Sequence, residues 1–214
     1  MTDRIQTAPE LASIEVESLN RSTLLMRGAL AAGAAYGAMA VGPLIQSAFA
    51  QKDKSSEGDI EILNFALTLE YLEAAFYDQA ASDVKSKPKV VAEYVETFGA
   101  EEQEHVDALA ATISDLGGKP VKAPGVDFGD AFSSVETFLA TAITFEDLGV
   151  SAYNGAAPAI ESKDLLATAG GIVQIEARHA ATLRFAAGES PAPDAFEPTL
   201  STDEVLEAVA PFLA

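Results

Sequence analysis

Two copies of the pattern Glu-x-x-His contain both histidines of the chain: Glu102 with His105, and Glu176 with His179. Each copy lies in an apolar run of helical periodicity, where positions three apart share one face of the helix. Each copy therefore points one carboxylate and one imidazole in the same direction. Histidines scattered at random would rarely both fall into this pattern, so the spacing indicates a chemical role.

Two more glutamates, Glu70 and Glu146, lie in the helical runs that precede the two copies, where the apolar stripe calls for a residue such as leucine. Burying even one ionised carboxylate without a partner costs several kcal/mol. No lysine or arginine falls on these stripes, since Arg178 and Arg184 lie off the line. The carboxylates therefore need another source of positive charge.

Two divalent metal ions would supply four positive charges against four carboxylates, and two neutral imidazoles would complete the donor set. Carboxylate and imidazole ligands suit iron or manganese better than a structural zinc. We therefore expect two iron ions, or alternatively two manganese ions, and the open alternative is a polar core without metal. The expected ligands are Glu70, Glu102, His105, Glu146, Glu176 and His179.

The composition narrows the possible functions. A formal charge of −20 disfavours nucleic acid or an anionic membrane surface as a partner, because both would repel the chain. The chain contains no cysteine, which excludes disulfides, thiolate zinc sites and iron–sulfur centres. With 214 residues, 49% of them hydrophobic, the chain is large enough for one substantial core.

Four helical patterns are predicted, beginning near residue 59, after a turn at 82–88, and over 131–157 and 163–187. The connection 117–129 is long and rich in glycine and proline, which favours a crossover along the length of a bundle. The fold class is therefore all-α: a four-helix bundle over 59–188 with a long crossover between helices 2 and 3. A linker at 51–58 precedes it, and a tail at 189–214 carries a short helix over 202–213. The pair Gly170-Gly171 favours close helix packing in the fourth helix.

The two halves of the bundle repeat one design. Tyr77 follows Glu70 by seven residues, and Tyr153 follows Glu146 by the same number. The glutamates at 70 and 146 are 76 residues apart, close to the 74 between those at 102 and 176. The chain therefore predicts two helical hairpins related by an approximate two-fold axis.

The repeat also indicates which of two glutamates in the first helix is the better ligand candidate. Glu73 aligns with Gly149 of the second half, whereas Glu70 aligns with a glutamate. We therefore expect Glu70 to be the ligand, and Glu73 to be an auxiliary or a solvated carboxylate.

The N-terminal part has the form of an export signal. Residues 1–19 are polar and are predicted to be disordered. Within 20–50, Arg21 and Arg27 precede an apolar run that ends in Ala48-Phe49-Ala50. The start of this segment resembles a twin-arginine leader in which Asn20 replaces one arginine. A periplasmic or exported protein is expected; the alternatives are an uncleaved membrane anchor at 28–50 and an unprocessed helix of a cytoplasmic protein.

One local sequence adds a family resemblance. Residues 63–73 read Leu-Asn-Phe-Ala-Leu-Thr-Leu-Glu-Tyr-Leu-Glu, and Phe76-Tyr77 follow. Together with the two Glu-x-x-His copies, this stretch resembles the ferritin-like superfamily, and in particular exported bacterial ferritin-like proteins related to plant desiccation proteins. The resemblance extends from about residue 59 to 187.

The resemblance implies a role for each site residue. Glu102 and Glu176 would bridge two metals, with the pairs Glu70–His105 and Glu146–His179 completing the two sites. Tyr77 and Tyr153 would stand near the metals as hydrogen-bonding or redox neighbours, and ordinary packing is their alternative.

The activity implied by the resemblance is oxidation of Fe(II) by dioxygen or peroxide, or peroxide disproportionation at manganese. A stress or desiccation protein that binds metal without turnover is the second hypothesis. The third is iron storage, which needs a homo-oligomer.

Overall fold

The computed structural model describes residues 57–85 and 87–214. Its helices, in chain order, are α1 (Glu57–Asp83), α2 (Lys89–Asp115), α3 (Val135–Ala156), α4 (Lys163–Ala187) and α5 (Thr202–Val209). Short 3₁₀ turns follow α3 at Ala157–Ala159 and α5 at Ala210–Phe212. The predicted all-α fold is confirmed.

The helices pack as two hairpins. α1 lies along α2 and α3 along α4, and the hairpins meet where α1 faces α3 and α2 faces α4. The predicted long crossover runs from the end of α2 to the start of α3. This arrangement is the expected four-helix bundle, and it turns one face of each long helix toward a shared interior.

The interior has two apolar clusters with a gap between them. The first is built around Phe76, whose ring contacts the rings of Phe128, Phe132, Phe138 and Phe145. The second lies toward the other end of the bundle and includes the buried side chains of Leu63, Leu67, Ile113, Leu165 and Ile172.

The gap between these clusters can be followed along α2. The first cluster reaches Phe98 and the second begins at Val106, with the buried Glu102 between them. The predicted ligands therefore lie at the middle of the bundle, with apolar packing on both sides.

Polar side chains set the helix starts. Ser134 accepts a hydrogen bond from the backbone N–H of Thr137, whose hydroxyl in turn accepts one from the N–H of Ser134. This reciprocal cap begins α3 at Val135, so the predicted start at residue 131 is wrong. α1 begins at Glu57, inside the stretch predicted to be linker. α4 has the predicted bounds, and Gly188 ends it with a φ of 82°.

The C-terminal segment docks on the outside of the bundle, as expected. Val205 and Val209 are buried, and the ring of Phe212 lies 4.8 Å from that of Phe145 on α3. The backbone N–H of Asp127 in the crossover donates to the carbonyl of Phe212 at 2.9 Å. The helix predicted to reach residue 213 ends at Val209, because Pro211 has no N–H to continue it.

The glycine pair in α4 does not mark a close contact with another helix, contrary to the prediction. A Cβ placed at Gly170 or Gly171 would meet no atom within 4 Å, so the predicted close packing there is wrong. The tight approach is at Gly155 of α3, where a Cβ would lie 1.9 Å from the carbonyl oxygen of Leu200. Gly155 thus lets the C-terminal tail cross α3.

Three predictions lie mostly or wholly outside the described residues: disorder over 1–19, the export-type segment 20–50 and the linker 51–58. Within the described part of the chain, no helix is both long enough and apolar enough to cross a bilayer.

Candidate metal centre

The four long helices bring all six predicted ligands together. α1 contributes Glu70, α3 contributes Glu146, and α2 and α4 each contribute one Glu-x-x-His pair. All are buried except His105, whose side chain is 12% exposed. The set is Glu70, Glu102, His105, Glu146, Glu176 and His179.

The first half of the site surrounds His105. Its Nδ1 lies 2.9 Å from Oε2 of Glu102, 3.1 Å from Oε2 of Glu70 and 3.3 Å from Oε1 of Glu176. One imidazole nitrogen and three carboxylates thus converge within ligand distance of a common point.

The second half surrounds His179. Its Nδ1 lies 2.9 Å from Oε1 of Glu102 and 3.2 Å from Oε2 of Glu146. Glu102 therefore directs one oxygen toward each histidine, and it could contribute a donor atom to each half of the site.

Each tyrosine of the repeat bonds a glutamate of the opposite hairpin. Tyr77 of α1 donates its hydroxyl hydrogen to Oε1 of Glu146 on α3, and Tyr153 of α3 donates to Oε1 of Glu70 on α1. Burial raises the pKa of both tyrosines well above the usual value, and the neighbouring carboxylates raise it further. Both phenols therefore remain neutral donors that orient the carboxylates.

A residue that the sequence reading missed holds the second imidazole. Nε2 of His179 lies 2.6 Å from Oε2 of Glu101, and the ring of Phe98 stacks on the imidazole at 3.9 Å. With Nε2–H donating to Glu101, Nδ1 keeps its lone pair for a metal. No periodic signal marks Glu101, because it lies off the apolar stripe of α2.

Glu73 is also part of the cluster. Its side chain is 3% exposed, and its carboxylate lies with those of Glu146 and Glu176 within 4.8 Å of one another. The expectation of a solvated carboxylate is therefore wrong. Its spacing of three residues from Glu70 was the signal, since these positions share a face of α1.

Protons balance part of the charge when no metal is bound. Burial raises the pKa of Glu70 to about 7, and burial together with nearby carboxylates raises the pKa of Glu176 well above its usual range. Burial also raises the pKa of Glu102, but the hydrogen bond from His105 and the positive charges of His105 and His179 outweigh it and lower that pKa to about 2.

The histidines act as the cations of the metal-free site. Burial alone would lower the pKa of His105 and His179, but contacts with the surrounding carboxylates raise both well above the usual value. Two imidazolium ions cannot neutralise all the glutamates, so part of the negative charge has no basic partner.

Metal ions fit this donor set. No hydrogen bond reaches Oε1 of Glu102 or either oxygen of Glu176, although all three atoms are buried. His179 and His105 come within 2.9 and 3.3 Å of two of these oxygens without hydrogen-bond geometry. Buried carboxylate oxygens without a donor are rare and costly, and they are suited to coordinating a cation. The cluster is therefore a candidate site for two metal ions.

Comparison with known proteins agrees with this geometry. Residues 58–189 match the family model of the ferritin-like domain. A crystal structure described as ferritin like, diiron-carboxylate proteins from Bacillus anthracis str. Ames is 26% identical, with a TM-score of 0.55. The alignment covers 62% of this chain and 99% of that one. None of the curated protein sequences compared with this chain matches it.

Proposed function

Because the chain belongs to the ferritin-like domain family, we propose that it is an oxidoreductase that holds two iron ions and reacts with dioxygen or peroxide, with Fe(II) as electron donor. The observation that carries this proposal is the buried cluster of glutamates and histidines, with three carboxylate oxygens that no donor satisfies. Iron is preferred over manganese because the similar protein from Bacillus anthracis is described as a diiron-carboxylate protein.

The chain's own residues hold the reacting centre in place. Tyr77 and Tyr153 fix the carboxylates of Glu146 and Glu70, and Glu101 fixes the imidazole of His179. Such preorganisation keeps donor atoms where the ions need them. Bound Fe(II) would supply the electrons that reduce dioxygen or peroxide, and solvent would supply the protons.

Access for a small oxidant is best at His105. Of the six expected ligands, His105 is the most exposed, with 12% of its side chain open to solvent. Dioxygen and peroxide are small enough to use such an opening, whereas a large organic substrate is not.

The test is a turnover measurement on the full chain. Metal-free protein is loaded with two equivalents of Fe(II) without oxygen, then mixed with dioxygen or peroxide while formation of Fe(III) and loss of the oxidant are followed. We expect oxidation faster than that of free Fe(II) under the same conditions. The double variant His105→Ala/His179→Ala should lose this acceleration, and Glu104→Gln, an exposed change on the same helix, should keep it.

Oxidation no faster than in buffer, with two ions bound per chain, would contradict the proposal. It would favour a second function, a metal-stabilised stress or desiccation protein without turnover. The observation that favours this alternative is the burial of His179 and of all four expected glutamate ligands, which leaves little open coordination space. Uptake of many irons per chain would instead indicate storage in an oligomer.

We also propose that the protein works in the cell envelope. The support is the sequence of residues 20–50, with its basic start and Ala-x-Ala end. Fractionation of cells that produce the full chain, with N-terminal sequencing of the product, tests this. Product starting near residue 51 outside the cytoplasm is expected, and an intact cytoplasmic chain would contradict it.

A further inference from the structure

The two halves of the site are unequal at one position. Glu73 lies one helical turn after Glu70 on α1, and the equivalent position of α3 after Glu146 is Gly149. The first half therefore contributes a carboxylate where the second contributes only a hydrogen atom.

The glycine makes the space that the extra carboxylate occupies. A Cβ at Gly149 would lie 2.8 Å from Oε2 of Glu176 and 3.2 Å from Oε1 of Glu73. Both distances are shorter than ordinary carbon–oxygen contacts, so any larger residue would push one of the two carboxylates away. A glycine inside a helix costs about 1 kcal/mol relative to alanine. Here it admits Glu73 to the centre of the bundle.

Glu73 is a buried carboxylate that is surrounded by other carboxylates. Its side chain is 3% exposed, and residues 57–85 and 87–214 provide it with no hydrogen-bond donor. The charges that face it are those of Glu176, Glu102, Glu146 and Glu70, all of the same sign. Its carboxylate groups with those of Glu146 and Glu176, and it is not in the group that contains Glu70 and His105.

We propose that Glu73 is a seventh protein ligand, that it belongs to the ion held by Glu146 and His179, and that Gly149 is the space that allows it to reach that ion. The inference rests on the metal pair of the proposed function. It makes the two ions unequal, because one is surrounded by an additional carboxylate. A harder or more highly coordinated divalent cation gains most from such an oxygen donor.

The test measures metal binding without any oxidant. Metal-free full-length protein is titrated with Mn²⁺, with calorimetry for the stoichiometry and the affinities and electron paramagnetic resonance for the environments of the ions. We expect wild type to bind two ions. Glu73→Gln, which keeps the shape and removes the charge, should weaken one of them by about tenfold or more and leave the other unchanged.

Two further variants test whether Gly149 and Glu146 affect the same ion as Glu73. Gly149→Ala should also weaken this ion, because its methyl group takes the space beside Oε2 of Glu176 and Oε1 of Glu73. Adding Glu73→Gln to Glu146→Gln should cost less than the two separate losses together, since both residues serve one ion. Glu61→Gln, an exposed change on the same helix, is the matched control and should have no effect.

The outcomes separate this inference from the function on which it rests. If wild type binds two ions and Glu73→Gln binds both with unchanged affinity, Glu73 is not a ligand, while the proposed function stands. Glu73→Asp, which draws the carboxylate back by one methylene group, gives the same decision if the glutamine variant does not fold. If wild type binds no Mn²⁺ and no Fe²⁺, the proposed function fails and this inference fails with it.

Discussion

Tyr153 on α3 donates its hydroxyl hydrogen to Glu70 on α1, and this bond joins the two hairpins at the centre of the bundle. Its counterpart runs in the opposite direction, from Tyr77 on α1 to Glu146 on α3. The approximate two-fold symmetry of the sequence thus has a physical use, because each hairpin orients a carboxylate of the other.

Removing the Tyr153 hydroxyl should destabilise the metal-free protein. A hydrogen bond to a buried charged group contributes about 1.5–3 kcal/mol, and Tyr153→Phe leaves an oxygen of Glu70 without its donor. Urea unfolding of metal-free protein at pH 8, above the pKa of about 7 of Glu70, measures the change. Tyr94→Phe is the control, because Tyr94 is half-buried, stacks on Phe98 and donates no hydrogen bond within the described residues. Equal effects of the two changes would show that Tyr153 acts by packing alone.

The metal-free protein should lose stability as pH rises from 5 to 8. Burial raises the pKa of Glu70 from 4.5 to about 7, so the folded state binds this proton more tightly than the unfolded state. The stability from this group is therefore complete below pH 4.5 and is lost as pH rises through about 7. The shift corresponds to a change on the order of 3 kcal/mol.

The other groups of the site do not reverse this trend. The pKa values of Glu73, Glu146 and Glu176 are also raised by burial, so they act in the same direction. Glu102 has its pKa lowered to about 2, and its contribution changes only between pH 2 and 4.5. Unfolding midpoints at pH 5, 6, 7 and 8, with and without Mn²⁺, check the prediction. A metal-free protein that becomes steadily more stable over this range would contradict it.

Glu101 should position His179 and should not act as a ligand itself. Its carboxylate lies 2.6 Å from Nε2 of His179, whereas Nδ1 of the same ring faces Glu102 and Glu146. Loss of such a partner typically lowers metal affinity by 10- to 100-fold. We expect Glu101→Gln to lower the affinity for one ion only, as measured by Mn²⁺ calorimetry. Loss of an ion from the stoichiometry altogether would instead make Glu101 a direct ligand.

The helical bundle and its buried glutamates and histidines can be predicted from the sequence, because both follow from the helical periodicity of the apolar residues. The glutamates and histidines at the centre were found because a charged residue interrupts an apolar stripe, as Glu70 does between Leu67 and Tyr77. The bundle and its crossover followed from the same stripes and from the glycine- and proline-rich connection.

The features that could not be predicted from the sequence depend on contacts between segments far apart in the chain. Glu101 and His179 meet only because α2 faces α4, and their spacing of 78 residues has no pattern to reveal it. The pairing of Val126 with Leu213 joins two irregular segments without periodicity. The role of Glu73 is hidden for the same reason: the repeat aligns it with Gly149, and only the fold shows that this glycine makes room for its carboxylate.

Metal content tests the central claim most directly. Wild-type protein and the double variant His105→Ala/His179→Ala are both stripped of metal, incubated with Fe²⁺ without oxygen, desalted and analysed for iron. The buried carboxylates and imidazoles predict two ions per wild-type chain and a clear loss in the variant. A double variant that retains the full wild-type metal content, or a wild type that retains none, would show that this cluster is not the metal site.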